Sequence, residues 1–246
     1  MYSRHFRLLT GLLSILLVLS AAPRMEAMPE EPRYGGTLVA SLIYDPNQLN
    51  YALTTSSANY YIASQMFSAL IWYDEKLGLH PLLAESWQVS PDGLQWAFKL
   101  VRNAKWHDGK PVTAADVKYT FEQIHVKEAR MALWTSLDRV EAIDDYTAKF
   151  YFKFPSAQAN GPNSVWWGVY GSPIIPKHLY EGTDIKNNPY NMKPVGSGPF
   201  MFKEWVKGSH VRLVKNPNYF MKDEAGRPLP YLCLLYTSDA ADEEDS

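Results

Sequence analysis

Residues 105–121 read KWHDGKPVTAADVKYTF, and the pair His107–Asp108 is the first place to look for chemistry. An imidazole beside a carboxylate is the start of a general-base pair or half of a metal site. Neighbouring residues on an extended segment point to opposite faces, so these two do not converge on one ligand. No second His, Cys or Glu stands at a ligand spacing nearby, and His80, His125, His178 and His210 are scattered without a motif. The sequence holds no Gly-x-Ser-x-Gly elbow, no Walker loop and no His-Glu-x-x-His. GGTL at 35–38 and GSGPF at 196–200 are glycine-rich but lack phosphate-cradling spacing, and they read as backbone turns. Nothing assembles a nucleophile, a base and an orienting acid, so the chain reads as a binder with no catalytic residues, no metal and no cofactor.

The elements around the pair follow from pattern. Trp96, Phe98 and Leu100 alternate with Gln95, Ala97 and Lys99, which is a strand with one buried face. Pro91-Asp92-Gly93 and Asp108-Gly109 are turns on either side. Thr113 with Asp116 three residues on predicts a capping box, and Val117, Phe121 and Ile124 form the buried stripe of the helix that follows. Ile62, Met66, Ala69 and Leu70 at helical spacing predict a helix over 58–71. Residues 35–44 read as a strand, 139–154 as a hairpin turning at Asp144-Asp145 with Phe150, Phe152 and Phe154 on one side, and 193–220 as a tight turn and two strands. Residues 233–246 shift to acidic and small residues with no strand pattern.

Composition narrows the class. The 246 residues are 46% hydrophobic, enough for one or two domains with a sizeable core. Aromatics reach 14%, which suits a ring-packed β core or a cleft lined with rings. The formal net charge is −2 and residues 28–232 lie within one charge of neutral, so no basic patch points to nucleic acid. Arg4, His5 and Arg7 precede the apolar run 8–20, which is too short to span a membrane and is followed by small residues. Residues 1–27 are therefore expected to be a cleavable signal peptide, cut after Ala22 or Ala27. Cys233 is the only cysteine, so no intramolecular disulfide forms and no cysteine after the apolar run offers a lipid anchor. The expected location is the periplasm.

The block LLAESWQVSPDGLQWAFKLVRNAKWHDGKPVTAADVKYTFEQI at 82–124 resembles the signature of the family 5 extracellular solute-binding proteins, the peptide- and nickel-binding receptors of ABC importers. Its Ala84-Glu85-Ser86-Trp87, Asp92-Gly93, Trp106, Asp108-Gly109, Pro111 and Asp116-Val117 carry the match. GGTLVAS, QLNYAL, IIPKH and VGSGPF…NPNYF resemble further family elements in the expected order, with Tyr51 where the family has Pro.

The resemblance implies an α/β, periplasmic-binding-protein-like flytrap of the type II class, with an inserted small domain and the C-terminal lobe missing. Residues 34–66 and 155–222 would form the split first lobe, and 67–154 the inserted domain. It implies ligand contacts from Thr54, Thr55, Ser56, Ser57 and Asn59, whose side chains suit a peptide backbone and equally suit a helix N-cap. Trp166, Trp167 and the turn Gly196, Ser197, Gly198 are further candidates for the cleft wall. It implies a monomer that binds a small peptide, di- or oligopeptide, and delivers it to ABC permease subunits in the membrane. Nickel chelate, haem, opine or oligosaccharide are the alternative ligands. An exported hydrolase, which would need a nucleophile and base, and a chaperone-like protein are the alternatives of another class. Residues 233–246 resemble translated sequencing adapter, and the biological sequence is expected to end near Leu232; otherwise they are expected to be a disordered tail.

Overall fold

Two adjacent isoleucines, Ile174 and Ile175, are both fully buried yet belong to different hydrophobic cores. Extended backbone sends successive side chains to opposite sides, so one segment can feed two cores at once. The computed structural model describes residues 32–42, 44–54, 56–76, 78–128, 134–155 and 172–239. Residues 34–246 form one unit. It opens with β1 (Thr37–Leu42), a 3-10 turn at Tyr51–Leu53 and α1 (Ser57–Ala63). A two-stranded ribbon follows, β2 (Ile71–Tyr73) with β3 (Leu79–Pro81). Then come β4 (Ala84–Val89), β5 (Gln95–Leu100) and α2 (Ala114–Tyr119), which runs on as a π-helical turn at Thr120–His125. The hairpin β6 (Leu137–Asp144) and β7 (Thr147–Phe152) precedes the short α3 (Lys177–Tyr180), β8 (Phe200–Val206), β9 (His210–Lys215) and β10 (Leu234–Asp239).

Strands β4, β5, β7 and β6 lie in that order in an antiparallel sheet. The predicted alternation holds there: Phe98 and Leu100, then Ala148, Phe150 and Phe152, are buried. Phe98 and Phe121 both meet Phe150 edge-on, at centroid distances of 5.3 and 4.7 Å. The second sheet has the order β1-β10-β9-β8, antiparallel except for the parallel pair β1–β10. Its core gathers Ile62, Met66, Ile175, Phe200 and Leu213. Between the two cores runs α2 with its π turn. Val117 and Phe121 face the first core, whereas Tyr119 and Ile124 face the second. The predicted stripe of three is thus divided between two cores.

Polar groups lock this seam. Thr113 N–H and Oγ1 both donate to Asp116 Oδ2, at 2.9 and 3.0 Å, so the predicted cap forms around the carboxylate. Asp116 Oδ1 accepts from Lys177 N–H at 2.9 Å across the seam. Thr120 Oγ1 accepts from Ile175 N–H at 3.1 Å and donates to the Asp116 carbonyl at 2.8 Å. The buried His125 ring contacts the Pro173 carbonyl through Nε2 at 3.2 Å.

Three expectations need correction. The helix predicted over 58–71 ends at Ala63. Met66 and Leu70 are buried as the spacing requires, but in different cores. The carbonyls of Gln65, Met66 and Ser68 accept from Phe200, Gly198 and Ile174 instead of continuing the helix. Phe154 lies beyond the end of β7 and is 51% exposed. In the segment read as lacking strand pattern, Leu234–Asp239 forms an inner strand between β1 and β9, with Leu235 and Thr237 buried and Tyr236 half-buried between them. The acidic residues that dominated that composition lie at its far end. No helix among the described residues is long and apolar enough to cross a membrane.

Because Asp116 serves three donors on two elements, Asp116→Ala should lower stability by about 2–4 kcal/mol, whereas Thr113→Ala should cost only about 1 kcal/mol. Urea denaturation midpoints compare the two; equal losses would show that the seam contact to Lys177 adds nothing.

Candidate functional site

The parallel pairing of β1 with β10 puts both carboxyl ends at one edge of the sheet, where Leu42 pairs with Asp239. The turn between β8 and β9 reaches the same edge, because Val206 pairs with His210 and His210 with Ser238. Ligands of open α/β sheets bind outside the carboxyl ends of strands, so the chain that leaves β1 is the segment to examine.

Buried amides hold that segment. Asp45 takes Trp205 Nε1–H on Oδ1 at 3.2 Å and Gly208 N–H on Oδ2 at 3.0 Å, which ties the loop to the β8–β9 turn. Asn59 Nδ2 donates to Asn47 Oδ1 at 2.7 Å. Asn50 caps the 3-10 turn by accepting from Ala52 N–H, and its Nδ2 donates to Tyr180 OH at 3.1 Å and Asn191 Oδ1 at 3.0 Å. Burial pushes the Tyr180 phenol upward, so it stays neutral and serves as a hydrogen-bonding hub.

The expected contact residues separate on this frame. Thr54 and Ser56 are half-buried and Ser57 is exposed. Thr54 Oγ1 accepts from Ser56 N–H at 3.1 Å. Ser56 occupies the N-cap position of α1, but its hydroxyl makes no capping bond. Ser57 Oγ lies 2.7 Å from Tyr44 OH. Hydrogen bonds from Ser57, then Ser56, lower the pKa of the Tyr44 phenol. Asn59, by contrast, is fully buried and cannot present its side chain to a ligand in solution. Thr55, Trp166 and Trp167 lie outside the described residues.

The three residues of the turn Gly196, Ser197, Gly198 are buried. A Cβ on Gly196 would sit 1.8 Å from the Met66 carbonyl oxygen, and one on Gly198 2.6 Å from the Met66 carbonyl carbon. Space, not conformation, demands glycine here, because the turn packs backbone against backbone. Its outer partner is His107. The His107 N–H donates to the Gly196 carbonyl at 2.8 Å, and Gly196 N–H donates to His107 Nδ1 at 3.1 Å. With Nδ1 accepting, the proton resides on Nε2, which donates to the Gly198 carbonyl at 3.1 Å. Burial lowers the His107 pKa to about 4, against the opposing pull of the Gly198 carbonyl and the Asp108 charge. Asp108 faces the other way, and its Oδ2 lies 2.7 Å from His178 Nε2. The pair that opened the sequence therefore diverges, as adjacency requires, and each member clasps a different segment. Among the described residues no group of three or more His, Cys, Asp or Glu is placed to hold a metal ion.

The model of the bacterial extracellular solute-binding proteins, family 5, middle region, matches residues 78–242. The chain belongs to this family. Among curated relatives, the oligopeptide-binding protein AppA of Bacillus subtilis is 35% identical over 205 residues, which is 80% of this chain and 36% of AppA. The probable D,D-dipeptide-binding periplasmic protein DdpA of Escherichia coli is 32% identical over 85% of this chain and 40% of its own length. Among solved structures, AppA in complex with a nonapeptide superposes with a TM-score of 0.74 at 33% identity, over 85% of this chain and 41% of that one. AgaA of A. tumefaciens R10, in complex with agropinic acid, gives 0.72 at 30% identity, over 85% and 40%. The chain thus spans about two fifths of these family 5 proteins, and the described elements are an α/β part of their fold.

Sequence reasoning missed Tyr44, which read only as the end of a strand, and Asp45, which fixes it. A Tyr-Asp pair just past a strand's carboxyl end is the signal that was available.

His107 yields a pH prediction. Its pKa falls from 6.5 in the unfolded chain to about 4 in the folded one, so its contribution to stability is full above pH 6.5 and is lost as pH falls toward 4. The loss over that window should be about 3 kcal/mol. His107→Ala should be less stable at pH 7 but should show a flatter pH dependence between 6.5 and 4. Parallel pH–stability curves for the two proteins, measured by denaturant titration, would refute the assignment.

Proposed function

We propose that this chain is part of a receptor that binds small peptides outside the cytoplasmic membrane and hands them to the permease of an ABC importer. The likeness to AppA carries this reading, since that relative is an oligopeptide-binding protein whose structure holds a nonapeptide. The surface hydroxyls of Thr54, Ser56 and Ser57 support it. Short side chains with both donor and acceptor capacity can bond a peptide backbone whatever its sequence. In this reading, residues 34–66 with 155–222 form the first lobe, 67–154 form the inserted domain, and a second lobe supplies the facing wall. Closure of the lobes buries the ligand and selects the closed state. Residues 1–27 act as the export signal.

The likeness to AgaA favours a second reading, a receptor for a small opine-type acid. Both readings use the same wall and differ in how much ligand the cleft holds.

Calorimetry on the longer protein that contains this sequence separates them. Di- to hexapeptides should bind with saturable one-to-one heat; binding of an opine, sugar or metal chelate with no heat from any peptide would overturn the peptide assignment. Residues 28–246 alone should bind peptides at least tenfold more weakly than the longer protein, and submicromolar binding by that piece would contradict the two-wall cleft.

A further inference from the structure

Two tyrosines, one just past the end of β1 and one on α1, belong to neither core. Tyr44 is 45% exposed and Tyr61 is 56% exposed. Folding would ordinarily cover such large rings, and the neighbouring tyrosines Tyr51 and Tyr60 are indeed buried, their tilted rings 4.9 Å apart. The exposed pair flanks one hydroxyl. Ser57 Oγ lies 2.7 Å from Tyr44 OH. Ser57 and Tyr61 are both exposed and stand four residues apart on α1, so they are surface neighbours, and Tyr61 leans toward the start of the helix. Each tyrosine adjoins an anchored group. Tyr44 is followed directly by Asp45, whose two carboxylate oxygens are fastened to Trp205 and Gly208. Tyr61 packs on Tyr60 at 5.4 Å. Thr54 and Ser56 adjoin Ser57 in the chain, with Thr54 Oγ1 accepting from Ser56 N–H at 3.1 Å.

Resting on the peptide-receptor reading, we infer that Tyr44 and Tyr61 form a specificity surface that receives an aromatic side chain of the peptide, beside a backbone held by Thr54, Ser56 and Ser57. Tyrosine suits this task, since it offers a large flat area with two side-chain torsions and a hydroxyl that its partner keeps oriented. A ring of the ligand laid on such a surface gains pair geometry in addition to burial. Asp45 fixes the chain that carries Tyr44, and the phenol is turned to Ser57 and is not the recognising group, so the ring carries the preference and the hydroxyl does not.

The test compares Ala-Phe-Ala with Ala-Ala-Ala by calorimetry on the longer protein. The wild type should prefer the aromatic peptide by about tenfold. Tyr44→Ala and Tyr61→Ala should each reduce that preference to within about twofold while still binding Ala-Ala-Ala, and Tyr44→Phe should keep it. Peptide binding with no aromatic preference, or a preference that survives both alanine variants, would overturn the inference and leave the peptide receptor standing. A wild type that binds neither peptide would overturn both. Both side chains are surface groups, and unchanged melting temperatures of the variants would show that lost preference is not lost folding.

Discussion

The contact on which the rest of this structure depends is a backbone-to-backbone approach with no room for a methyl group. The turn at Gly196–Gly198 lies against Met66, and the Gly198 N–H donates to the Met66 carbonyl at 2.8 Å. That approach ends the reach of α1, because carbonyls that would have served a longer helix are taken by another segment. It sets where β8 begins, since Phe200 N–H bonds the Gln65 carbonyl. It also fixes how the two cores meet, because His107, from the signature block beside the first core, closes over the turn from outside. A neutral imidazole is the only form that satisfies the geometry: one ring nitrogen must accept and the other must donate. Burial enforces that form by disfavouring the charged one.

The same economy governs the edge where ligand is proposed to bind. Asn50 and Asn191 are buried and bond the backbone or one another, Asp45 holds Trp205 and Gly208, and Asn47 holds the buried Asn59. A buried polar group left unmatched costs about 1–3 kcal/mol, so a loop held by several matched groups has few alternative conformations. The polar groups that remain at the surface, Thr54, Ser56, Ser57 and Tyr44, are short or rigid. A surface built from such groups loses little conformational entropy when it meets a ligand. Fixed interior amides and spare exterior hydroxyls are therefore two parts of one arrangement.

Much of the fold was legible in the sequence where a single physical rule decides. Period-two alternation located β5 and β7, Pro-Asp-Gly and Asp-Gly located the turns flanking β5, Asp144-Asp145 located the turn before β7, and Thr113 with Asp116 located the start of α2. Resemblance then supplied the family. The reading failed where long-range contacts override local pattern. Ile62, Met66 and Leu70 have helical spacing because each is buried, but two cores bury them, and periodicity does not report which. In the same way, Asn59 carries a polar side chain in a polar stretch, yet an amide partner twelve residues earlier draws it inside.

The pair His107–Asp108 shows why residue type alone is a poor guide to chemistry. A general base needs an imidazole that can take a proton near neutral pH, and His107 is held where protonation would set two N–H groups against each other at Gly196. Its partner carboxylate is turned away toward His178, so neither orients the other. What the pair does instead is mechanical: one residue clasps the glycine turn and the other the start of α3, at two points on either side of the seam. Those two clasps tie the segment after β5, which packs in the first core, to α3 and to the glycine turn that lies against Met66 in the second.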